Sequence, residues 1–163
     1  MQVHDFEGFY LAELEELRSV EAQLTDHLAE MALRANDKDL SKAIKAHQEQ
    51  TEAQRDELNT LLKVRGRQVD AHEDTSMQAI IAEAKKWNDM IVDDTLQDAA
   101  LVASLQRMKH YEMAVLGALG NWARKLGQGE DEAALSRMLE QTKEAEAMFG
   151  TFAENALKQT ALD

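Results

Sequence analysis

Apolar residues recur at alternating intervals of four and three along the start of the chain. Tyr10, Leu14, Leu17, Leu24, Leu28 and Met31 keep the rhythm, with position 21 in register. Such a stripe is one face of a packed α-helix, here about 27 residues and roughly 40 Å long at 1.5 Å per residue. Little in the chain is obliged to interrupt it: the 163 residues contain no proline and only seven glycines. Aromatic residues make up 5% of the sequence, which leaves little from which to build a sheet.

The same rhythm returns along the rest of the chain. Asn36-Asp37 makes a turn with a capping residue, and a second seam follows through Leu40, Ile44, His47, Thr51, Gln54, Leu58 and Leu61. It fades at Arg65-Gly66, and residues 65–75 carry no apolar period. A shorter amphipathic segment has Met77, Ile80, Ala84, Trp87 and Ile91 on one face. A third long seam holds Leu101, Leu105, Met108, position 112, Val115, Leu119, Trp122 and Leu126. Gly127-Gln128-Gly129 ends it, and Glu130-Asp131-Glu132 supplies negative charge for the next helix start. The last seam is looser: Leu135, Met138 or Leu139, Thr142, Ala145 or Glu146, Phe149, and Phe152 or Ala153.

These seams predict an all-α chain, residues 1–163 forming one domain. Long helices are expected at about 8–34, 38–64, 97–126 and 131–158, and a shorter one at about 76–93. Short turns make two antiparallel hairpins, and the long link between them returns the chain along the bundle. That is the one-crossover topology of ferritin-like four-helix bundles.

Composition removes several functions. Eighteen basic residues against 31 acidic ones give a net charge of −13, a surface that repels phosphate backbones and anionic lipid, so neither nucleic acid nor membrane is an expected partner. Without cysteine there are no disulfides, thiolate metal sites or thiol nucleophiles. The N-terminal run Met1-Gln2-Val3-His4-Asp5 lacks the features of a signal peptide, and a cytoplasmic protein is expected. No nucleophile elbow or glycine-rich phosphate loop is present, and no small-molecule substrate suggests itself.

What remains is the polar middle of the seams. Glu21 and Glu112 stand at core positions near the centres of the first and third long helices, and His47 on the second. A carboxylate there is costly if ionised and unpaired. Convergence of three such groups would instead make a ligand set for iron or manganese. The other histidines are expected to be peripheral: His4 and His72 in solvent, His27 on the surface, His110 on the surface or behind the site. Met31, Met77, Met108, Trp87 and Trp122 fall at core spacing and read as packing.

The segments VEAQLTDHLAEMA (20–32), KAHQEQTEAQ (45–54), DAALVASLQRMKHYEMAVLGAL (98–119) and LGQGEDEAALSRMLEQTKEAE (126–146) resemble the YciF/YciE branch of the ferritin-like proteins. The likeness spans nearly the whole chain and is most specific in the third long helix. It implies a small, cytoplasmic, stress-associated bacterial protein, dimeric, with a di-metal carboxylate site in the bundle. Carried over residue by residue, the resemblance implies that Glu21, His47, Glu112 and Glu140 are remnants of that site, with Glu83 matching a further ligand; a single ion on Glu21, His47 and Glu112 would also draw on Glu146 or Glu144. Gln50, Lys109, Gln141 and Thr142 stand where the family has other ligands. A pair of divalent ions carries about four positive charges and is normally balanced by four or more carboxylates. Gln50 and Thr142 each remove a negative charge, and the Lys109 ammonium repels a cation.

The expectation is therefore a lost or reduced metal centre, no cofactor and no catalysis. The competing expectation is iron or manganese, as a single ion or a pair, acting on peroxide or dioxygen. A homodimer interface is expected where Trp87, Met90 and Ile91 add apolar surface.

Overall fold

The computed structural model describes residues 3–160, with side chains to residue 155, so Met1 and Gln2 of the N-terminal run lie outside the described residues. It holds five helices: α1 (Phe6–Arg34), α2 (Lys38–Val64), α3 (Thr75–Met90), α4 (Asp94–Lys125) and α5 (Gly129–Thr160). The first four each begin on an aspartate whose carboxylate accepts an otherwise unpaired backbone N–H. Asp5 takes Gly8 N at 2.7 Å, Asp37 takes Asp39 N and Leu40 N, Asp74 takes Met77 N, and Asp93 takes Leu96 N.

Those caps move three boundaries from where the seams put them. Asp5 starts α1 at Phe6 rather than 8, and Asp93 starts α4 at Asp94 rather than 97. The latter leaves α3 ending at Met90 rather than 93. Gly127, at φ 70°, turns the chain out of α4 while Gln128 N donates to Ala123 O at 2.9 Å. A side chain there would meet the left-handed penalty.

The bundle closes in the order α1, α2, α5, α4, with each helix antiparallel to its neighbours. One end is tied by Asn36 N and Asp37 N, which donate to the two oxygens of Asp98 at 2.8 Å each. The other is tied by Asp131 at the start of α5, which accepts Tyr10 Oη at 2.7 Å and Arg65 Nη2 at 2.6 Å. Because α2 and α4 run in the same direction, the chain must return the length of the bundle between them. Residues 65–74 and α3 make that return, with α3 resting mainly on α4 and more lightly on α1. Asp74 pins the crossover: its N–H donates to Ser19 Oγ, its carbonyl accepts Gln23 Nε2, and its carboxylate accepts Tyr111 Oη at 2.6 Å. No helix among the described residues is long and apolar enough to cross a membrane.

The α1 seam is buried as spaced, but those of α2 and α4 drift. Leu62 is buried in place of Leu61, and Leu116 and Ala123 in place of Val115 and Trp122. A nearly straight helix has 3.6 rather than 3.5 residues per turn, so an extra step of four keeps the stripe facing inward. Trp122 instead packs edge-on against Phe6 and at a tilt against Phe9. Trp87 is 40% exposed and was not the core residue its spacing suggested, because α3 covers only one edge of the bundle. Its Nε1 donates to Glu83 at 2.9 Å.

The Asp131 tie gives a direct prediction. Burial, then the bonded Asp131, push the Tyr10 phenol far above its usual titration range. Tyr10→Phe removes a hydrogen bond to a buried carboxylate and is expected to cost about 1.5–3 kcal/mol in urea unfolding. A loss near zero would mean that solvent replaces the phenol.

Candidate functional site

Glu21, Lys109, Glu112 and Thr142 meet inside the bundle, contributed by α1, α4, α4 and α5. All four are at most 1% exposed. Lys109 and Glu112 are three residues apart on one helix face, and Lys109 Nζ donates to Glu112 Oε2. Thr142 Oγ1 donates to Glu112 Oε1 at 2.7 Å and lies 2.9 Å from the carbonyl of Met138. Glu112 is thus held by an ammonium on one oxygen and a hydroxyl on the other.

The second carboxyl group, Glu21, answers differently to the same surroundings. Burial first, and then the neighbouring charge of Glu112, hold its pKa well above the ordinary carboxylate value, against a smaller opposing pull from Lys109. Protonated, Glu21 can share a hydrogen bond with Glu112, an arrangement two ionised carboxylates could not adopt. The cluster then carries one cation, one anion and one neutral acid. Glu21 Oε2 has no partner among the described residues.

On the α2 side the polar middle continues without charge. Thr51 is fully buried, and Gln54 is nearly so while donating to Gln141 Oε1 at 2.8 Å. His47 is buried. Its ring packs edge-on against Phe149 at 5.7 Å. Burial, with the Lys109 ammonium second, holds its pKa well below the usual imidazole value. Nδ1 faces Gln50 Oε1 at 3.3 Å, and Nε2 has no partner.

The remaining glutamates stand elsewhere. Glu83 is exposed and bonds Lys86 and Trp87; Glu140 is exposed and pairs with Lys143; Glu144 is exposed on α5. Glu146 is half-buried, 3.4 Å from the exposed His110. Gln50 and Gln141 are also half-buried, lining the α2–α5 seam beside His47. Among the described residues, no three His, Asp or Glu side chains are grouped to hold a metal ion. The donor set does not fit a dinuclear centre: two carboxyl groups converge, and one of them, Glu112, is bonded to Lys109 Nζ.

Two further expectations fail. His27 is 3% exposed rather than on the surface, because α3 covers it. His72 is not free in solvent but lies 3.5 Å from the buried Glu15 and 3.4 Å from Glu16. Sequence reasoning also missed Glu15 and Asp74, whose partners Arg67, Tyr111 and Ser19 come from distant parts of the chain. A carboxylate adjoining the α1 seam and one just before a helix start were the available signals.

Comparison with known proteins agrees with this architecture. Protein YciF of Escherichia coli strain K12 is 28% identical over 162 residues, covering 99% of this chain and 98% of that protein. The crystal structure of the E. coli stress protein YciF superimposes with a TM-score of 0.91 at 27% identity, covering 97% of this chain and all of that one. YcfI from Rhodopseudomonas palustris, described as a candidate structural protein, gives a TM-score of 0.88 at 31% identity over 92% of this chain and 96% of its own. The resemblance read from the helical segments is therefore borne out. The model of the family described as a domain of unknown function, DUF892, matches residues 5–162, and the chain belongs to that family.

Proposed function

We propose that this chain is a stress-associated, non-catalytic member of its family, of ferritin-like ancestry, in which an internal ion pair replaces a di-metal centre. The observation that carries the reading is the buried Lys109 ammonium on Glu112 Oε2. A cation fixed by covalent attachment occupies the charge position that a metal would need. The second carboxyl group, Glu21, is neutralised by its proton rather than by an ion. Nothing redox-active remains in such a network, so its role is to hold the bundle together. The names of the relatives, a stress protein and a candidate structural protein, suit a protein that works by being present. We further propose that it acts in the cytoplasm as a homodimer, through the apolar surface around Trp87 and Met90, which are 40% and 64% exposed.

The test is elemental analysis of protein purified without chelator, beside a Gln50→Glu, Lys109→Glu double variant. The wild type is expected to carry no stoichiometric metal. The variant is expected to take up iron or manganese and to melt at higher temperature when either is added. Two tightly held ions per wild-type chain would refute the proposal. Light scattering of Met90→Asp tests the dimer: a monomer is expected, and an unchanged dimer mass would place the interface elsewhere.

A further inference from the structure

α3 is fastened unevenly to the rest of the bundle. Its N-terminal end is pinned by Asp74, which bonds Ser19, Gln23 and Tyr111. Its C-terminal half is joined to α1 by two ion pairs between exposed side chains, Lys85 Nζ to Glu30 Oε2 at 3.0 Å and Arg34 Nη2 to Asp89 Oδ1 at 3.4 Å. Pairs of that kind add little stability. Ala84 and Asn88 are the buried residues of that half, and Asn88 Oδ1 has no hydrogen-bond partner among the described residues. Glu30, Lys85 and His27 line two clefts of about 400 and about 390 Å³, so the α1–α3 contact is not closely packed.

His27 lies in this contact and is 3% exposed. Its Nδ1 is 3.4 Å from Glu30 Oε2, so in the neutral ring Nδ1 carries the hydrogen and Nε2 a lone pair. A second proton would go to Nε2, which is buried and has no partner among the described residues. The charged groups lining the two clefts are Asp26, Glu30 and Arg34 from α1, Lys85 and Asp89 from α3, and Glu73 from the crossover; no described residue of α2, α4 or α5 lines either. Of these, Glu30 bonds the imidazole, and it already holds Lys85. Burial, the largest influence, keeps the imidazole pKa below its usual value; the Glu30 bond opposes this, and the Lys85 and Arg34 cations reinforce it. A charged ring beneath α3 with one N–H unbonded is costly. The cost is relieved when the helix lifts and water reaches Nε2.

We propose that α3 is an acid-released strap: its C-terminal half lies closed on α1 while His27 is neutral and lifts away when His27 takes up a proton. The open form titrates as an ordinary imidazole, near pH 6.5, and the closed form takes its proton only at lower pH. The stabilisation of the closed strap is therefore full above about pH 6.5 and is lost as pH falls from there toward the closed-state value. Asp74 keeps the N-terminal end in place, so the residues from Ala84 onward are the ones freed. The device uses none of Glu21, Lys109 or Glu112 and stands or falls apart from the function proposed above.

Amide hydrogen exchange of the whole protein, followed by NMR from about pH 7.5 to about pH 5, tests the strap. A 16-residue helix detached from its support is marginal in water, so lifting unprotects its amides. Protection in residues 84–90, corrected for the intrinsic pH dependence of exchange, is expected to fall by up to about tenfold per pH unit, the limit for one proton. Amides of residues 138–145 in α5 are the reference for any loss shared by the whole bundle. His27→Gln and His27→Phe have no imidazole to charge, and the additional loss in α3 is expected to vanish in both. The His27 ring resonances are recorded in the same wild-type samples. Equal pH dependence in α3 and α5 of the wild type would overturn the proposal, as would an unchanged α3 loss in either folded variant. So would a His27 ring that becomes protonated while the α3 amides keep their protection.

Discussion

Replacing Lys109 with methionine is expected to lower the unfolding free energy by about 3–5 kcal/mol. The methionine keeps most of the buried stem but removes the ammonium from Glu112 Oε2. Glu112 then retains Thr142 as a neutral donor and the Glu21 carboxyl beside it, in a place that water does not reach. An uncompensated buried charge is among the few single changes able to cost this much. The partner change separates charge from packing. Lys109→Met with Glu112→Leu removes both ions and should recover most of the loss, since a buried pair replaced by apolar groups is often close to neutral. Urea unfolding followed by helical circular dichroism measures both variants, and the double-mutant cycle isolates their coupling. A single-variant loss below about 1 kcal/mol would be the size of a solvent-exposed pair, and would mean that the network is wet.

The second large effect concerns pH. Glu21 binds its proton more tightly in the folded chain than in the unfolded one, because burial and Glu112 raise its pKa. Above the ordinary carboxylate range the unfolded chain gives up that proton while the native chain keeps it. Stability from this group is therefore complete at pH below about 4.3 and falls as pH rises toward the raised native value. Each unit of difference corresponds to about 1.4 kcal/mol. Glu21→Gln keeps the shape and a donor for Glu112 but cannot ionise. It is expected to unfold at higher urea than the wild type at pH 8, with the advantage shrinking toward pH 5. Equal slopes of stability against pH in the two proteins would show that Glu21 is ionised in the native state. His47 works in the opposite sense: its depressed pKa withdraws stability as pH falls below about 6.5.

Much of this architecture is legible in the residues because helix seams are a local pattern. The α1 stripe from Tyr10 to Met31 is buried as its spacing says, and the absence of proline leaves nothing to break it. The polar middle was legible for the same reason: Glu21 and Glu112 interrupt stripes that are otherwise apolar. The height at which separate helices meet was not. It depends on where each helix begins, which Asp5, Asp37 and Asp93 decide through their capping bonds. Contacts made by the crossover were also hidden, since residues 65–74 have no periodicity to announce what they cover. His27, Glu15 and Ser19 look like surface positions of α1 until the crossover and α3 are laid over them.

The central claim is that the Lys109 side chain, rather than metal, neutralises the middle of the bundle. Protein produced in medium supplemented with iron and manganese, crystallised without chelator and measured at both absorption edges, tests it directly. The account predicts no anomalous peak between Glu21 and Glu112, with Lys109 Nζ bonded to Glu112 Oε2. Two peaks at that position, with Lys109 turned away from the carboxylates, would contradict it.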